Sequence, residues 1–257
     1  AKQLRAPDSV MKLARLGSFF PTRLSFMRVL IRQLAKEGSS VKQTVWSINE
    51  DGYGRAVLTI NLNHKHYSLI AFTQPLSEEN RTDRVIAEAW DSTYVLYDGI
   101  PSIGDLERLK KHVPHQEAGR YSDKELVLSR ANKSVRLFGH VVDRLAQGLQ
   151  PDFELVKSTG YLMRTTAVYG NVKFGISDRS KIAIRGGLSG PFQIEMLAVY
   201  LIREFTHKLV EHIAQQKSPK TAIKLDAKLK RYLGIGNSTG LGTVSYTHLT
   251  LPTTMLV

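Results

Sequence analysis

The densest run of polar chemistry in the chain is Ser129-Arg130-Ala131-Asn132-Lys133-Ser134-Val135-Arg136. Arg130, Lys133 and Arg136 recur every third residue, a spacing that keeps them near one face of a helix. A second set follows in Arg164-Thr165-Thr166 and Tyr169-Gly170-Asn171, with Lys173 beyond it. Guanidinium groups present a planar fork matched to phosphate or carboxylate, and hydroxyl and amide groups complete the hydrogen bonds. Polar groups that interrupt an apolar helix are costly to bury without partners. Two readings follow: a pocket for an anionic small molecule, or an internal network of arginine and carboxylate pairs.

The segment Gly234-Ile235-Gly236-Asn237-Ser238-Thr239-Gly240-Leu241-Gly242 is the richest in glycine. Glycine lets backbone N–H groups approach an anion without interference from a Cβ. Its spacing is not that of the dinucleotide fingerprint, and it lacks the Lys-Ser/Thr ending of a P-loop. A glycine at its start is also expected as a helix C-cap. The expected ligand-binding set is Arg130, Asn132, Lys133, Arg136, Arg164, Thr165, Thr166 and Tyr169, closed over by Asn237, Ser238 and Thr239. Arg185-Gly186-Gly187-Leu188-Ser189-Gly190 precedes a helix start, and reads as an anion site or a linker.

Other constellations point to less. Glu204-x-x-His207 with Glu211 shares one helical face, but a carboxylate-bridged di-metal bundle needs a second Glu-x-x-His, and the chain has none. Helical pairing explains the spacing, and no metal is expected. His140-x-x-Asp143 adds nothing to it. His64-Lys65-His66 fits a polar hairpin turn. His112 and His115 flank Pro114 in a loop that offers acid–base groups without a nucleophile. There is no G-x-S-x-G elbow, and the absence of cysteine excludes thiol catalysis, Cys-ligated zinc and a disulfide scaffold. No catalytic residue is assigned, and no motif indicates a cofactor.

These groups must be positioned by 257 residues that are 42% hydrophobic and 23% charged, values of an ordinary globular chain. No apolar run approaches the ~20 residues that cross a bilayer, and no signal-peptide pattern is present. A cytoplasmic protein is expected. Residues 9–37 carry apolar positions at helical spacing up to Gly38. Runs around 45–48, 57–60, 67–72, 85–87 and 94–97, separated by turn residues, predict an antiparallel meander of four to five strands. Residues 85–90 suit a helical turn equally. Ser102 would cap a helix over 103–112. Ser122 and Glu125 form a capping-box pattern for a long helix over 123–147. Further helices are expected from Asp152 to Tyr169, from Pro191 to Gln215 and from Asp226 to Leu233. The sum is an α+β chain: an N-terminal helix and sheet over 1–100, then a mostly helical bundle over 101–243, as a separate unit or continuous with the first.

The formal net charge is +13. Residues 1–50 hold nine basic and three acidic groups, residues 201–257 hold eight and three, and the strand region 51–100 holds four and seven. An acidic sheet argues against an RNA-recognition sheet, so the leading partner is an anionic small molecule. Nucleic acid held by the basic terminal helices is the alternative, followed by a structural or interaction module.

Two resemblances bear on the whole chain. Residues 244–253, Val-Ser-Tyr-Thr-His-Leu-Thr-Leu-Pro-Thr, resemble residue for residue a translated transposase adapter from sequencing-library preparation, so residues 244–257 are expected to be a non-native tail. Residues 244–257 carry no Asp, Glu, Lys or Arg, so the net charge resides in the first 243. The runs 126–136, 161–170 and 233–242 resemble a family of bacterial cytosolic proteins with no activity attached. The resemblance implies a bacterial source and a longer native C-terminus.

Overall fold

The computed structural model describes residues 34, 36–62, 64–80, 90–114, 122–127, 130–165 and 191–237. Most of the helix expected over 9–37 lies outside these residues, as does the 85–87 run. At the helix end, the Ser39 N–H donates to the Leu34 carbonyl (2.8 Å), and Gly38 adopts φ +61°. That is the left-handed glycine stop that closes a helix.

The described part is a mixed α+β fold. Strands β1 (Lys42–Ile48), β2 (Gly54–Leu62), β3 (Lys65–Thr73) and β4 (Ser92–Asp98) form the expected antiparallel meander. Helix α1 (Ile103–His112) follows. Next come β5 (Glu125–Val127), β6 (Ala131–Lys133), α2 (Phe138–Ala146), α3 (Phe153–Thr159) and β7 (Tyr161–Thr165). The long α4 (Pro191–Lys217), short α5 (Ala227–Lys230) and β8 (Gly234–Asn237) complete it. A single sheet runs β1-β2-β3-β4-β6-β7-β8, with β5 also on β4, so strands from both sides of residue 100 belong to it. Among the described strands, only β7 and β8 pair in parallel.

Alternation along the strands sets the layers. Leu58, Leu69, Tyr94 and Leu96 join Leu197, Leu201, Phe205 and Leu209 of α4 and Val141 and Leu145 of α2 in the larger core. Val57, Ile70, Val95 and Tyr97 point the other way, against Leu106 and Leu109 of α1. Both faces are covered, which is why β2 to β4 read as near-continuous apolar runs.

Helix α1 starts where its local chemistry requires. Ser102 Oγ accepts the Asp105 N–H (3.1 Å), and the Asp105 carboxylate accepts the Ser102 N–H (3.0 Å). The Ser102 hydroxyl also donates to that carboxylate, and with lesser help from Arg108 and Tyr97 this holds Asp105 down to about 2. Burial, and then Asp105, push the Tyr97 phenol up to about 12. Arg108 reaches on to Glu125 in β5. These groups satisfy one another and clamp α1 and β5 to the sheet.

The expected helical bundle is interrupted by four short strands, β5 to β8. Ser122 and Glu125 make one bond of the capping box, Ser122 N–H to Glu125 Oε2 (2.8 Å). Yet the Glu125 N–H donates to the Ser122 carbonyl and closes a turn, and Leu126 pairs with Leu96. The free edge of β4 therefore overrides local helix preference. Among the described residues of the expected 123–147 helix, only α2 is helical. The helix from Asp152 is real and capped by that residue, but Gly160 at φ +80° ends it, and residues 161–165 are strand. Gly234 and Gly236 likewise lie in β8 rather than in a loop. A Cβ on Gly236 would stand 2.5 Å from the Tyr161 ring, so glycine is needed there for ring and strand to stack.

The most constrained backbone position is Gly54, at φ +137°, where a Cβ would lie 2.0 Å from the Ser47 carbonyl oxygen. Gly54→Ala is expected to lower unfolding free energy by about 2–4 kcal/mol, through backbone strain and forced separation of β1 from β2. Urea denaturation of the two proteins measures it.

Candidate functional site

The strand register decides where the predicted polar groups go. Three residues lie between Val127 and Ala131, whereas two lie between their partners Val95 and Ser92 on β4. The registers of β5 and β6 on β4 are thus offset by one residue, which reverses the alternation between them. Ala131 and Lys133 therefore face the α2–α4 side, with Met163 opposite Lys133. Asn132 and Arg164, paired with each other, belong to the opposite face. Arg130 stacks its guanidinium 4.2 Å from the centre of the Trp90 ring. Arg136 is exposed in the turn before α2. The cations expected along one helix thus point in different directions.

The sheet does bring the two later sets together. Arg164 lies beside Gly236 and Thr165 beside Asn237 in the parallel β7–β8 pair, with Asn132 and Ala131 opposite Arg164 and Thr165. Thr166, Tyr169, Ser238 and Thr239 lie outside the described residues, as do Arg185–Gly190.

Lys133 lines a cavity of about 460 Å³ built from four segments. The β1–β2 loop supplies Glu50, Asp51 and Tyr53; the end of β6 supplies Lys133, Ser134 and Val135. The start of α2 gives Phe138 and Gly139, and the end of α4 gives Ile213 and Gln216. Glu78 stands on the rim. Lys133 is 8% exposed, with its ammonium 4.9 Å from the Tyr53 ring centre and 5.2 Å from that of Phe138. Stacking between ring faces compensates part of the ammonium's lost hydration.

Each wall has a fixed anchor. The loop of residues 49–53 is closed by Asn49 N–H to the Tyr53 carbonyl (2.8 Å) and by Tyr53 N–H to Asn49 Oδ1 (2.7 Å). It leans on α4 through His212 Nε2 and the Asn49 carbonyl (3.0 Å), and Gly52 gives Ile213 room. Beneath Lys133, the Asp91 carboxylate accepts the Lys133 backbone N–H (2.8 Å), and Asn132 Oδ1 accepts the Asp91 N–H (3.0 Å). These buried, reciprocal bonds fix the end of β6. At α2, Ser134 receives the Leu137 N–H on its hydroxyl (3.3 Å) and the Phe138 N–H on its carbonyl (3.1 Å). Leu137 itself makes no side-chain cap. Gly139 in the first turn opens onto the cavity, with nothing within 4 Å of where a Cβ would be. Lys133, Asn132 and Ser134 were within the polar run; Tyr53, Phe138 and Asp91 carried no sequence signal.

The remaining candidates are structural. Glu211 accepts the Leu225 N–H (3.1 Å) and pairs with Lys230 (2.7 Å). Arg203 binds the Leu233 and Lys230 carbonyls. Among the described residues no group of three or more His, Asp or Glu side chains is placed to hold a metal. His64 sits at φ +60° in the β2–β3 turn. Two further cavities lie beside Arg55–Glu107 and beside His64 and His66, the first crossed by that ion pair.

Fold and cavity define a mixed α+β protein with a lysine-walled polar pocket on one face of its sheet. Comparison with family models, with curated proteins and with solved structures gave no match.

His207 is 3% exposed, and its Nδ1 has no hydrogen-bond partner among the described residues. Burial, reinforced by Arg203 and Lys230, holds its pKa well below the usual histidine value. Below about pH 6.5 the unfolded chain takes up this proton and the folded chain does not, so stability falls with falling pH. The contribution approaches about tenfold in the folding equilibrium per pH unit. His207→Leu is expected to remove that slope between pH 6.5 and 5, as measured by urea unfolding across the range.

Proposed function

We propose that this protein binds a small molecule carrying a phosphate or carboxylate group in the cavity walled by Lys133. The observation that carries the reading is a lysine only 8% exposed at the wall of a cavity large enough for a metabolite. An anion there gains from the reduced screening of a buried charge. The α2 N-terminus, with Gly139 open to the cavity, adds the positive end of the helix dipole. The Tyr53 and Phe138 rings supply apolar contact for the rest of the molecule. Glu50, Asp51 and Glu78 on the wall and rim repel additional negative charge, which favours a ligand with one anionic group over a polyanion.

The test is thermal unfolding and calorimetric titration with inorganic phosphate, phosphorylated sugars and short carboxylic acids. Binding to the folded state raises the melting temperature by mass action. Lys133→Met keeps the stem and removes the charge. It is expected to weaken the bound anion at least about tenfold, by loss of a charge-assisted contact. A protein that none of these anions stabilises, or a variant that binds as tightly as the native chain, would overturn the assignment.

A further inference from the structure

We propose that the surface formed by the α2–α3 loop and the segment from Lys217 to Arg231 docks on an anionic lipid surface. The segment holds six basic residues and one acidic residue, Asp226. Lys217 and Lys230 are neutralised by Asp143 (2.9 Å) and Glu211 (2.7 Å). Lys220, Lys224, Lys228 and Arg231 are exposed and have no acidic partner among the described residues. Asp226 is occupied as the cap of α5, receiving the Lys228 N–H (2.6 Å), and Asp152 likewise caps α3.

Large apolar side chains stand exposed beside these charges. Leu149, Phe153 and Ile223 are 45%, 42% and 37% exposed. They belong to one surface because the two segments are bonded edge to edge. Gln150 Nε2 donates to the Lys224 carbonyl (2.8 Å), and its Oε1 accepts the Asp226 N–H (2.9 Å). Ile223 N–H donates to the Leu145 carbonyl (3.1 Å), and the Thr221 hydroxyl to that of Ala146 (2.7 Å). Phe153 packs edge-on against Tyr232 at 5.1 Å. The surface is therefore preformed.

Exposed cations ringing exposed apolar groups match an interface of acidic headgroups over acyl chains. The apolar members decide between anionic partners. Two are aliphatic and offer no ring for a base to stack on, and Lys157 Nζ lies over the Phe153 ring, 5.9 Å from its centre, so nucleic acid uses the charge and not the apolar groups. Docking of this kind is peripheral. No described helix is long and apolar enough to cross a membrane.

Co-sedimentation of the full chain with vesicles tests the proposal, using phosphatidylcholine alone and phosphatidylcholine mixed with phosphatidylglycerol. The native chain is expected to pellet with the mixed vesicles only, and less so as salt rises. Lys220→Glu, Lys224→Glu and Lys228→Glu combined are expected to weaken this at least about tenfold while leaving the melting temperature unchanged. Phe153→Ser with Ile223→Ser is expected to weaken it at low salt, where charge alone would suffice. Three outcomes overturn the proposal: equal binding to neutral vesicles, no loss in the charge variant, or no loss in the apolar variant. So does a native chain that binds single-stranded RNA through the same lysines and no vesicle at all.

Discussion

One additional residue between β5 and β6 governs what the second half of the sheet presents to each side. With unbroken alternation, Arg130 and Asn132 would face α2 and α4, and Lys133 would face α1. The one-residue offset in register exchanges them. Asn132 then finds Asp91, Lys133 finds the Tyr53 and Phe138 rings, and the small Ala131 takes the place under the larger core. A single insertion in a ladder thus sorts three adjacent polar groups between a structural bond, a cavity wall and the surface.

The other governing element is α4. It buries Leu197, Leu201, Phe205 and Leu209 against the sheet while Arg203 and Glu211 hold the α5 segment. Its far end seats the β1–β2 loop through His212 and Ile213. Residues more than a hundred and fifty positions apart therefore meet at one wall, and the rigidity of the cavity is that of the core.

Legibility in the sequence followed the range of the deciding interaction. The first hairpin, α1 with its capping box, and α4 from Pro191 were readable because neighbours within a few residues determine them. Ser122 and Glu125 carry the same local signature as Ser102 and Asp105 but form a turn, since Arg108 and the β4 edge lie outside any local window. Gly160 and Gly234 show the same limit. Gly234 follows a helix as expected, whereas Gly160 cuts short the helix expected to run to Tyr169, and each opens a strand that only a distant partner requires. The candidate site was half visible for the same reason. Lys133 stands in a conspicuous run, whereas Tyr53 and Asp91 become neighbours of it only once the sheet is assembled.

The parallel pairing of β7 with β8 has a consequence for how the molecule comes into being. β8 is the last strand in the described order, and all of α4 lies between it and its partner. A chain emerging from the ribosome therefore makes β7 well before the strand that pairs with its edge in the folded protein. Closure of this edge is thus a late event, and the interval before it is one in which a nascent chain is open to pairing with a neighbour instead of with itself.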